Sequence, residues 1–243
     1  MKKMIALCIA IIAIILTASA LKAEAPSRTS KAPLVEPGTL EKTVFIHYAK
    51  PSKLSSKTPT CYKLLNAKWK SLPVNYVVNP SGSGLNDTDV LNSIVASTTE
   101  WDSHTSTTLF GTASIDYNAD WDSDSPDGRN EYSFGNYSDP NVIAVTVVWS
   151  GIPIGGKGRQ IIEYDVMFDT DYKWQTYPYN TTTQYMDLQN IATHETGHGI
   201  GLDDVYDAAC SEVTMYGYSY YGEINKRTLE QPDITGLQKL YGA

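Results

Sequence analysis

Two histidines and a glutamate stand close together in the segment ATHETGHGIGLDD, residues 192–204. On a helix, His194 and His198 lie one turn apart on the same face, so both imidazoles can bind one ion. Glu195 stands beside the first histidine, where a carboxylate can take a proton from water activated by a metal. The spacing therefore predicts a catalytic zinc site.

A third zinc ligand is expected shortly after this helix, because catalytic zinc usually has three protein ligands and one open position. Gly201 can adopt the left-handed conformation that ends a helix, after which the chain turns back. Asp204 then presents a carboxylate, which is an acceptable zinc ligand. Asp203 is the neighbouring alternative. Glu223 stands at a suitable distance downstream, but nothing around it supports a ligand role.

Hydrophobic periodicity predicts the elements that position this motif. Short β-rich runs and amphipathic segments interleave along the chain, and this pattern favours a mixed α/β domain built on one twisted sheet. The predicted strands are VNYVV (74–78), ASIDY (113–117), VIAVTVVW (142–149) and IIEYDVMF (161–168), and the predicted helices cover 88–103, 186–199 and a segment after Pro232.

A family resemblance extends beyond the histidines. HETGHGIGLDD resembles the extended metzincin motif HExxHxxGxxH, with Asp204 in place of the last histidine, and Met215 in VTMYGY is similar to the methionine turn of these proteases. The segment RTLEQPDITGLQKLYG resembles the last helix of matrixins. The segments IIEYDVMFDTDYKW and AKWKSLPVNYVVNP resemble two of their strands. The resemblance covers about residues 61–242.

This resemblance implies an α/β (α+β) metzincin-like domain with one twisted mixed sheet and about three helices. It also implies that an extended protein or peptide substrate pairs with an edge strand, here Val142–Trp149. The expected activity is zinc-dependent hydrolysis of peptide bonds, with Glu195 as the general base and Met215 packed beneath the metal. The zinc ligands implied are His194, His198 and Asp204.

A second function from another class stays open on the sequence alone. A non-catalytic secreted or surface binding protein could retain the same zinc as a structural element. Glu195 distinguishes the two functions, because a structural site has no use for a base beside an open coordination position.

The first sixty residues have the composition of a leader and an arm. Lys2 and Lys3, the apolar run Met4–Leu16 and the small residues Ala18–Ala20 predict a secretory signal peptide over residues 1–20. An uncleaved anchor helix is the alternative. Residues 21–60 predict a basic arm or short pro-segment, either inhibitor or tether. Residues 61–243 then form the matrixin-like catalytic domain, which contains no further apolar run long enough to span a membrane.

Charge separates the arm from the body of the chain. Residues 21–70 carry ten basic and three acidic residues, whereas residues 71–243 carry seven basic and twenty-four acidic ones. The acidic balance disfavours nucleic acid as a partner. The basic arm can lie on its own body or on an anionic cell envelope, or remain a solvated tether. We expect a monomer that is secreted or held at the cell surface.

Two cysteines remain after removal of the predicted signal peptide. In an oxidising compartment, Cys61 and Cys210 predict a disulfide. The alternative is a free Cys61 thiolate that ligates the metal in a latent form. The cysteine-bearing pro-segment of matrixins is not matched by PTCYKLL around Cys61, which favours the disulfide.

The acidic segment 116–139 suggests a second metal site. Asp120, Asp122, Asp124 and Asp127 offer the hard oxygen ligands that calcium prefers, although their spacing does not match an EF-hand. A solvated acidic loop is the alternative. Outside these motifs, His47 in the arm is expected to be a surface or packing residue.

Overall fold

The computed structural model describes residues 40–49, 60–152, 154, 156, 158–176 and 184–243. The predicted signal peptide, residues 1–20, lies outside the described residues, as does most of the predicted arm. The helices found in the described part of the chain are each too short or too polar to cross a membrane.

Strands and helices alternate through the described residues, as the sequence predicts. The strands are β1 Glu41–Tyr48, β2 Lys63–Leu64, β3 Ala67–Lys68, β4 Val74–Val78, β5 Phe110–Ile115, β6 Glu131–Gly135, β7 Val142–Gly151, β8 Arg159–Asp169, β9 Trp174–Gln175, β10 Met186–Asp187 and β11 Leu202–Asp203. The α-helices are α1 Asp87–Asp102, α2 Leu188–Gly199 and α3 Gln231–Tyr241. Short 3-10 turns cover Ala208–Cys210 and Asn225–Arg227.

One mixed sheet organises the domain, with the strand order β1-β7-β8-β6-β4-β5. Strands β8, β6, β4 and β5 pair in parallel, β7 is antiparallel to both of its neighbours, and β3 adds to the end of β8. This arrangement confirms the predicted fold class: a mixed sheet with a parallel core and three α-helices among the described residues.

Helix α1 forms where the sequence predicts an apolar stripe, and its cap is Asn86. The Asn86 side chain accepts a hydrogen bond from the Thr88 amide, which satisfies one of the free N–H groups at the helix start. Val90, Ile94 and Trp101 face the core, and the Trp101 indole donates to the Thr193 carbonyl of α2 at 2.8 Å. The two helices therefore lock together beside the sheet.

The predicted substrate-pairing strand is not at the edge of the sheet. Strand β7 corresponds to the predicted edge strand Val142–Trp149, but β1 lies antiparallel along it and takes the outermost position. The sequence also gives no clear signal for β6, which pairs between β4 and β8. Its segment EYSFG looks polar in the sequence because it contains Glu131 and Ser133, yet both of these side chains are buried.

Cys61 and Cys210 form the predicted disulfide, with their Cα atoms 5.3 Å apart. The bond closes a chain separation of 149 residues and joins the segment before β2 to the turn that follows the zinc motif. Cys210 is buried in a small cluster with Val205, Val213 and Tyr216. The disulfide therefore connects the start of the domain to the segment that follows the predicted zinc ligands.

Replacing both cysteines with alanine is expected to lower the free energy of unfolding by about 4–5 kcal/mol, because a loop of this length adds much entropy to the unfolded chain when it is opened. Denaturant unfolding of the oxidised wild type and of the double variant measures the difference. A reductant should lower the free energy of unfolding of the wild type and leave that of the variant unchanged. A loss below about 1 kcal/mol would contradict the expectation.

Candidate metal centre and active site

Helix α2 carries the HExxH residues into the interior. The Asp187 side chain caps the helix by accepting from the Asn190 amide at 2.9 Å. The helix ends at Gly199, and Gly201 has φ +105°, a conformation that favours glycine. A Cβ at Gly201 would lie 2.6 Å from the Ala67 carbonyl oxygen. The chain reverses at this glycine and returns Asp204 to the helix face, as predicted.

Three side-chain atoms converge at the turn of α2. His194 Nε2 and His198 Nε2 are 3.2 Å apart, and Asp204 Oδ1 lies 3.2 Å from the first and 3.6 Å from the second. All three residues are buried. Atoms bound to one tetrahedral zinc at about 2.0–2.1 Å are themselves about 3.3 Å apart, so the three atoms fit a single zinc ion.

The protonation of the two imidazoles supports this fit. His194 Nδ1 donates to the Thr214 carbonyl at 2.7 Å, and His198 Nδ1 donates to the Leu202 carbonyl at 3.0 Å. A carbonyl oxygen can only accept, so each neutral ring carries its proton on Nδ1 and directs the lone pair of Nε2 toward the other ring. Two facing lone pairs repel each other unless a cation lies between them. Both rings are therefore oriented as metal ligands.

Asp204, and not Asp203, faces the imidazoles. The Tyr206 hydroxyl donates to Asp204 Oδ2 at 2.8 Å, which leaves Oδ1 directed at the histidines and without a hydrogen bond among the described residues. Asp203 turns away and pairs with Lys63. Glu223 accepts from the Tyr220 amide and lies 3.9 Å from Lys226 Nζ, and it belongs to none of the clustered metal-binding groups of the described residues.

Glu195 is fully buried beside the three convergent atoms. Thr146, in the middle of β7, donates its hydroxyl to Glu195 Oε2. Burial raises the pKa of Glu195 to about 7, against the opposing effects of His194 and of the Thr146 hydrogen bond. A carboxyl with a pKa near neutrality can both take up and release a proton, which is the property required of a general acid–base group.

Met215 lies directly under α2. A Cβ at Gly197 would be 2.3 Å from Met215 Sδ, so the glycine is what allows the methionine to pack against the helix. The Asp233 carboxylate in the first turn of α3 accepts from the Thr214 and Met215 amides at 2.9 and 3.1 Å. Since Thr214 also holds His194, α3 stabilises the metal centre through this turn. The sequence alone does not indicate this role of Asp233.

The sequence also gives no sign that Lys226 belongs to the site. Its side chain is fully buried, and Nζ donates to the Tyr216 and Tyr218 carbonyls and to Ser219 Oγ, at 2.6–2.7 Å. Burial lowers the pKa of Lys226 to about 8, partly offset by Glu223. These three bonds hold the segment after Met215 as one wall beside the metal centre. This segment, Tyr216–Ser219, is called the wall segment below.

His47 is the least expected member of the site. The sequence suggests a surface or packing residue, yet His47 is 1% exposed and its Nδ1 lies 3.0 Å from Glu195 Oε1. The ring centroids of His47 and His194 are 4.0 Å apart, and Phe45 stacks on His198 at 3.8 Å. The alternating pattern of TVFIHY is a strand signal that could have revealed which of its residues turn inward.

The acidic segment 116–139 forms a second cluster of carboxylates. Asp120, Asp122 and Glu131 bring ligand atoms within 4.8 Å of one another, as do Asp122, Asp127 and Glu163. Three of the four predicted calcium ligands are therefore clustered. Asp124 is not, because the chain bends at Asp124–Ser125 and its exposed side chain leaves the alternation of Asp120 and Asp122.

Asp165 on β8 adds a buried carboxylate at this cluster. It is fully buried, and neither of its oxygens has a hydrogen-bond partner among the described residues. Burial, followed by repulsion from Glu163 and Glu131, raises the pKa of the Asp165 carboxyl well above its usual range. Burial also raises the pKa of Glu131 to about 7. Arg129 pairs with Glu131, but the other carboxylates of this cluster are costly to ionise unless a further cation compensates them.

The fold and the site together define a metzincin-type domain. The matrixin family model matches residues 68–242, and the chain belongs to the matrixin family, whose members are zinc metalloendopeptidases. The matched range contains His194, Glu195, His198, Asp204 and Met215, whereas β1 lies before it.

Curated relatives agree with this assignment at low identity. The chain is 27% identical over 180 residues to a hatching enzyme of Paracentrotus lividus, which covers 72% of this chain and 26% of the relative. It is 27% identical over 189 residues to an interstitial collagenase of Oryctolagus cuniculus, which covers 73% of this chain and 33% of the relative. The chain thus spans only about a quarter to a third of the length of these two relatives.

Proposed function

We propose that the protein is a secreted zinc-dependent endopeptidase. The observation that carries the proposal is the convergence of His194, His198 and Asp204 on one point beside the buried carboxylate of Glu195. A structural zinc would not require that base, so the alternative of a non-catalytic binding protein is disfavoured. Residues 1–20 would direct secretion, and residues 61–243 would form the catalytic domain.

His194, His198 and Asp204 would hold the zinc. When bound, zinc polarises the scissile carbonyl and lowers the pKa of water. Glu195 takes the proton of the attacking water and delivers it to the leaving amine. Thr146 holds one oxygen of Glu195, and the other oxygen, which contacts His47 in this structure, is the one that would face the reacting groups. The reaction requires no covalent intermediate.

The substrate would bind as an extended strand along β7. Main-chain hydrogen bonds to a sheet edge recognise any extended peptide, whereas pockets for alternate side chains provide selectivity. The wall segment bounds such a pocket beside Glu195. Clearing of casein by the purified protein and by a variant in which β1 no longer pairs with β7, abolished by a chelator and restored by zinc, tests the proposed activity. Clearing that persists in excess chelator would contradict it.

The acidic cluster would bind calcium. Hard carboxylate oxygens in a flexible arrangement suit calcium, and the unpartnered Asp165 identifies the buried side of the site. The ligands would come from Asp120, Asp122, Asp127, Glu131, Glu163 and Asp165. The ion would join the loop before β6 to the buried strand β8, and would therefore stabilise the sheet next to β7.

Calcium at about 100 times its dissociation constant is expected to raise the melting temperature by about 5–10 °C, whereas magnesium should have a much smaller effect. The Asp165→Asn variant should melt higher than the wild type in chelator, because asparagine avoids the cost of protonating a carboxylate when the chain folds, and should lose the response to calcium. The matched variant Asp124→Asn should keep the response. An equal response to calcium in the Asp165 variant would contradict the proposed site. Thermal unfolding followed by circular dichroism measures all three.

A further inference from the structure

We propose that the strand Glu41–Tyr48 is an intramolecular inhibitor, which occupies the peptide-binding cleft of its own active site and is held there by His47. This inference rests on the proposed peptidase function. It concerns a segment outside the range matched by the family model, residues 68–242. The contacts that carry it lie on both edges of the strand and at the inward-facing side chains.

Strand β1 is bound on both of its edges, as a substrate in a cleft would be. On one edge it pairs antiparallel with β7 along its whole length, with Phe45 opposite Thr146 and His47 opposite Ala144. On the other edge, Tyr48 bridges in parallel to Tyr218, and its carbonyl accepts from the Ser219 amide at 3.3 Å. At Tyr48, the strand therefore lies between the sheet and the wall segment.

The inward-facing side chains cover the catalytic groups. Phe45 is 6% exposed and stacks on the His198 ring with an interplanar angle of 6°. His47 contacts Glu195 on one side and Ser219 on the other, where its Nε2 lies 3.1 Å from Ser219 Oγ. Val44 points outward and is 41% exposed. The residues that bury most of their surface are thus those that face the metal centre.

One arrangement of protons satisfies every polar group around His47. Lys226 donates to Ser219, the Ser219 hydroxyl donates to His47 Nε2, and His47 Nδ1 donates to Glu195 Oε1. Thr146 donates to the other oxygen of Glu195. Both ring nitrogens of His47 take part in these hydrogen bonds, so neither nitrogen is left to bind a metal, and the ring fills the pocket. The oxygen of Glu195 that would receive the proton of water is occupied.

Opposite net charges favour the same closed state. Residues 21–60 have a net charge of +4, and residues 61–243 a net charge of −14. Lys42 on β1 donates to the Ser123 carbonyl and lies over the Trp149 ring at 5.8 Å. Attraction between the basic segment and the acidic body raises the local concentration of the strand at the cleft. Peptide hydrolysis would then require release of β1.

Substitution of His47 in the full chain tests the inference. His47→Ala is expected to raise both the hydrolysis of a fluorogenic peptide and the amide hydrogen exchange of residues 142–151 by at least about tenfold, because both depend on the population of the open cleft. Val44→Ala, in the same strand but facing outward, should change each rate by less than about threefold. Exchange is measured with and without zinc, so it does not depend on activity.

A second variant and a synthetic peptide test the inference independently of any misfolding of the His47→Ala variant. The Ala49 amide donates to the Asn141 carbonyl, so the odd-numbered residues of β1 turn their main-chain groups toward β7. Phe45→Pro removes one of these amides outside the family-matched range, so it should release β1 from β7 while the domain still unfolds cooperatively. A synthetic peptide of residues 40–49 should then inhibit this variant competitively, and the same peptide with alanine at His47 should bind at least about tenfold more weakly.

The outcomes separate the two proposals. Unchanged hydrolysis and exchange in the folded His47→Ala and Phe45→Pro variants would overturn the inhibitory strand and leave the peptidase proposal standing. Faster exchange without any hydrolysis by the zinc-loaded variants would support occlusion of the cleft and overturn the peptidase proposal.

Discussion

Replacing Glu195 with glutamine is expected to lower the rate of peptide hydrolysis by about 10²–10⁴-fold, with zinc content unchanged. Glutamine has nearly the same shape and can still accept from Thr146, but it cannot take a proton from water at neutral pH. The two proteins should be compared after β1 has been released by the Phe45→Pro substitution, so that both clefts are open. Single-turnover and steady-state rates on one fluorogenic peptide provide the measurement.

The matched control for this prediction is Glu212→Gln. Glu212 is an exposed glutamate near the disulfide, and its side chain contacts only Ser211 among the hydrogen bonds of the described residues. Its substitution should leave the rate within about twofold of the parent. Hydrolysis by the Glu195 variant at the rate of the parent would remove Glu195 as the general base.

The Asp204→Ala variant is expected to bind zinc at least about 100-fold more weakly than the wild type, because it loses a ligand and not only an outer-shell contact. Asp203→Ala should change the affinity by less than about tenfold, since this variant loses the pair with the largely exposed Lys63 and the hydrogen bond from the Asp204 amide, but no atom directed at the two histidines. Zinc content after dialysis against graded chelator concentrations measures both affinities. The opposite ranking would assign the ligand to Asp203.

The local parts of the site could be predicted from the sequence because their spacing is short. His194 and His198 are one helical turn apart, and Gly201 reverses the chain only three residues before Asp204. Four strands and all three α-helices of the described residues follow the periodicity of their sequences. Cys61 and Cys210 could be paired because no other cysteine remains after the predicted signal peptide.

The long-range parts of the site could not be predicted. His47 and Glu195 are 148 residues apart, and nothing near His47 in the sequence identifies its partner. Strand β6 looks polar in the sequence because it contains Glu131. This glutamate is buried in a cluster of carboxylates that comes from three separate segments, which the sequence does not reveal. Lys226 resembles a surface lysine in the sequence, and only the fold of the wall segment supplies its three acceptors. These contacts depend on how the strands and helices are arranged in space, which the hydrophobic periodicity of the sequence does not determine.

The position of zinc in the intact protein tests the account most directly. Crystals of the full chain, measured at energies above and below the zinc absorption edge, should show one anomalous peak at about 2.0–2.2 Å from His194 Nε2, His198 Nε2 and an Asp204 oxygen. A zinc-loaded protein whose anomalous peak lies elsewhere, with these three side chains turned away from one another, would contradict the account.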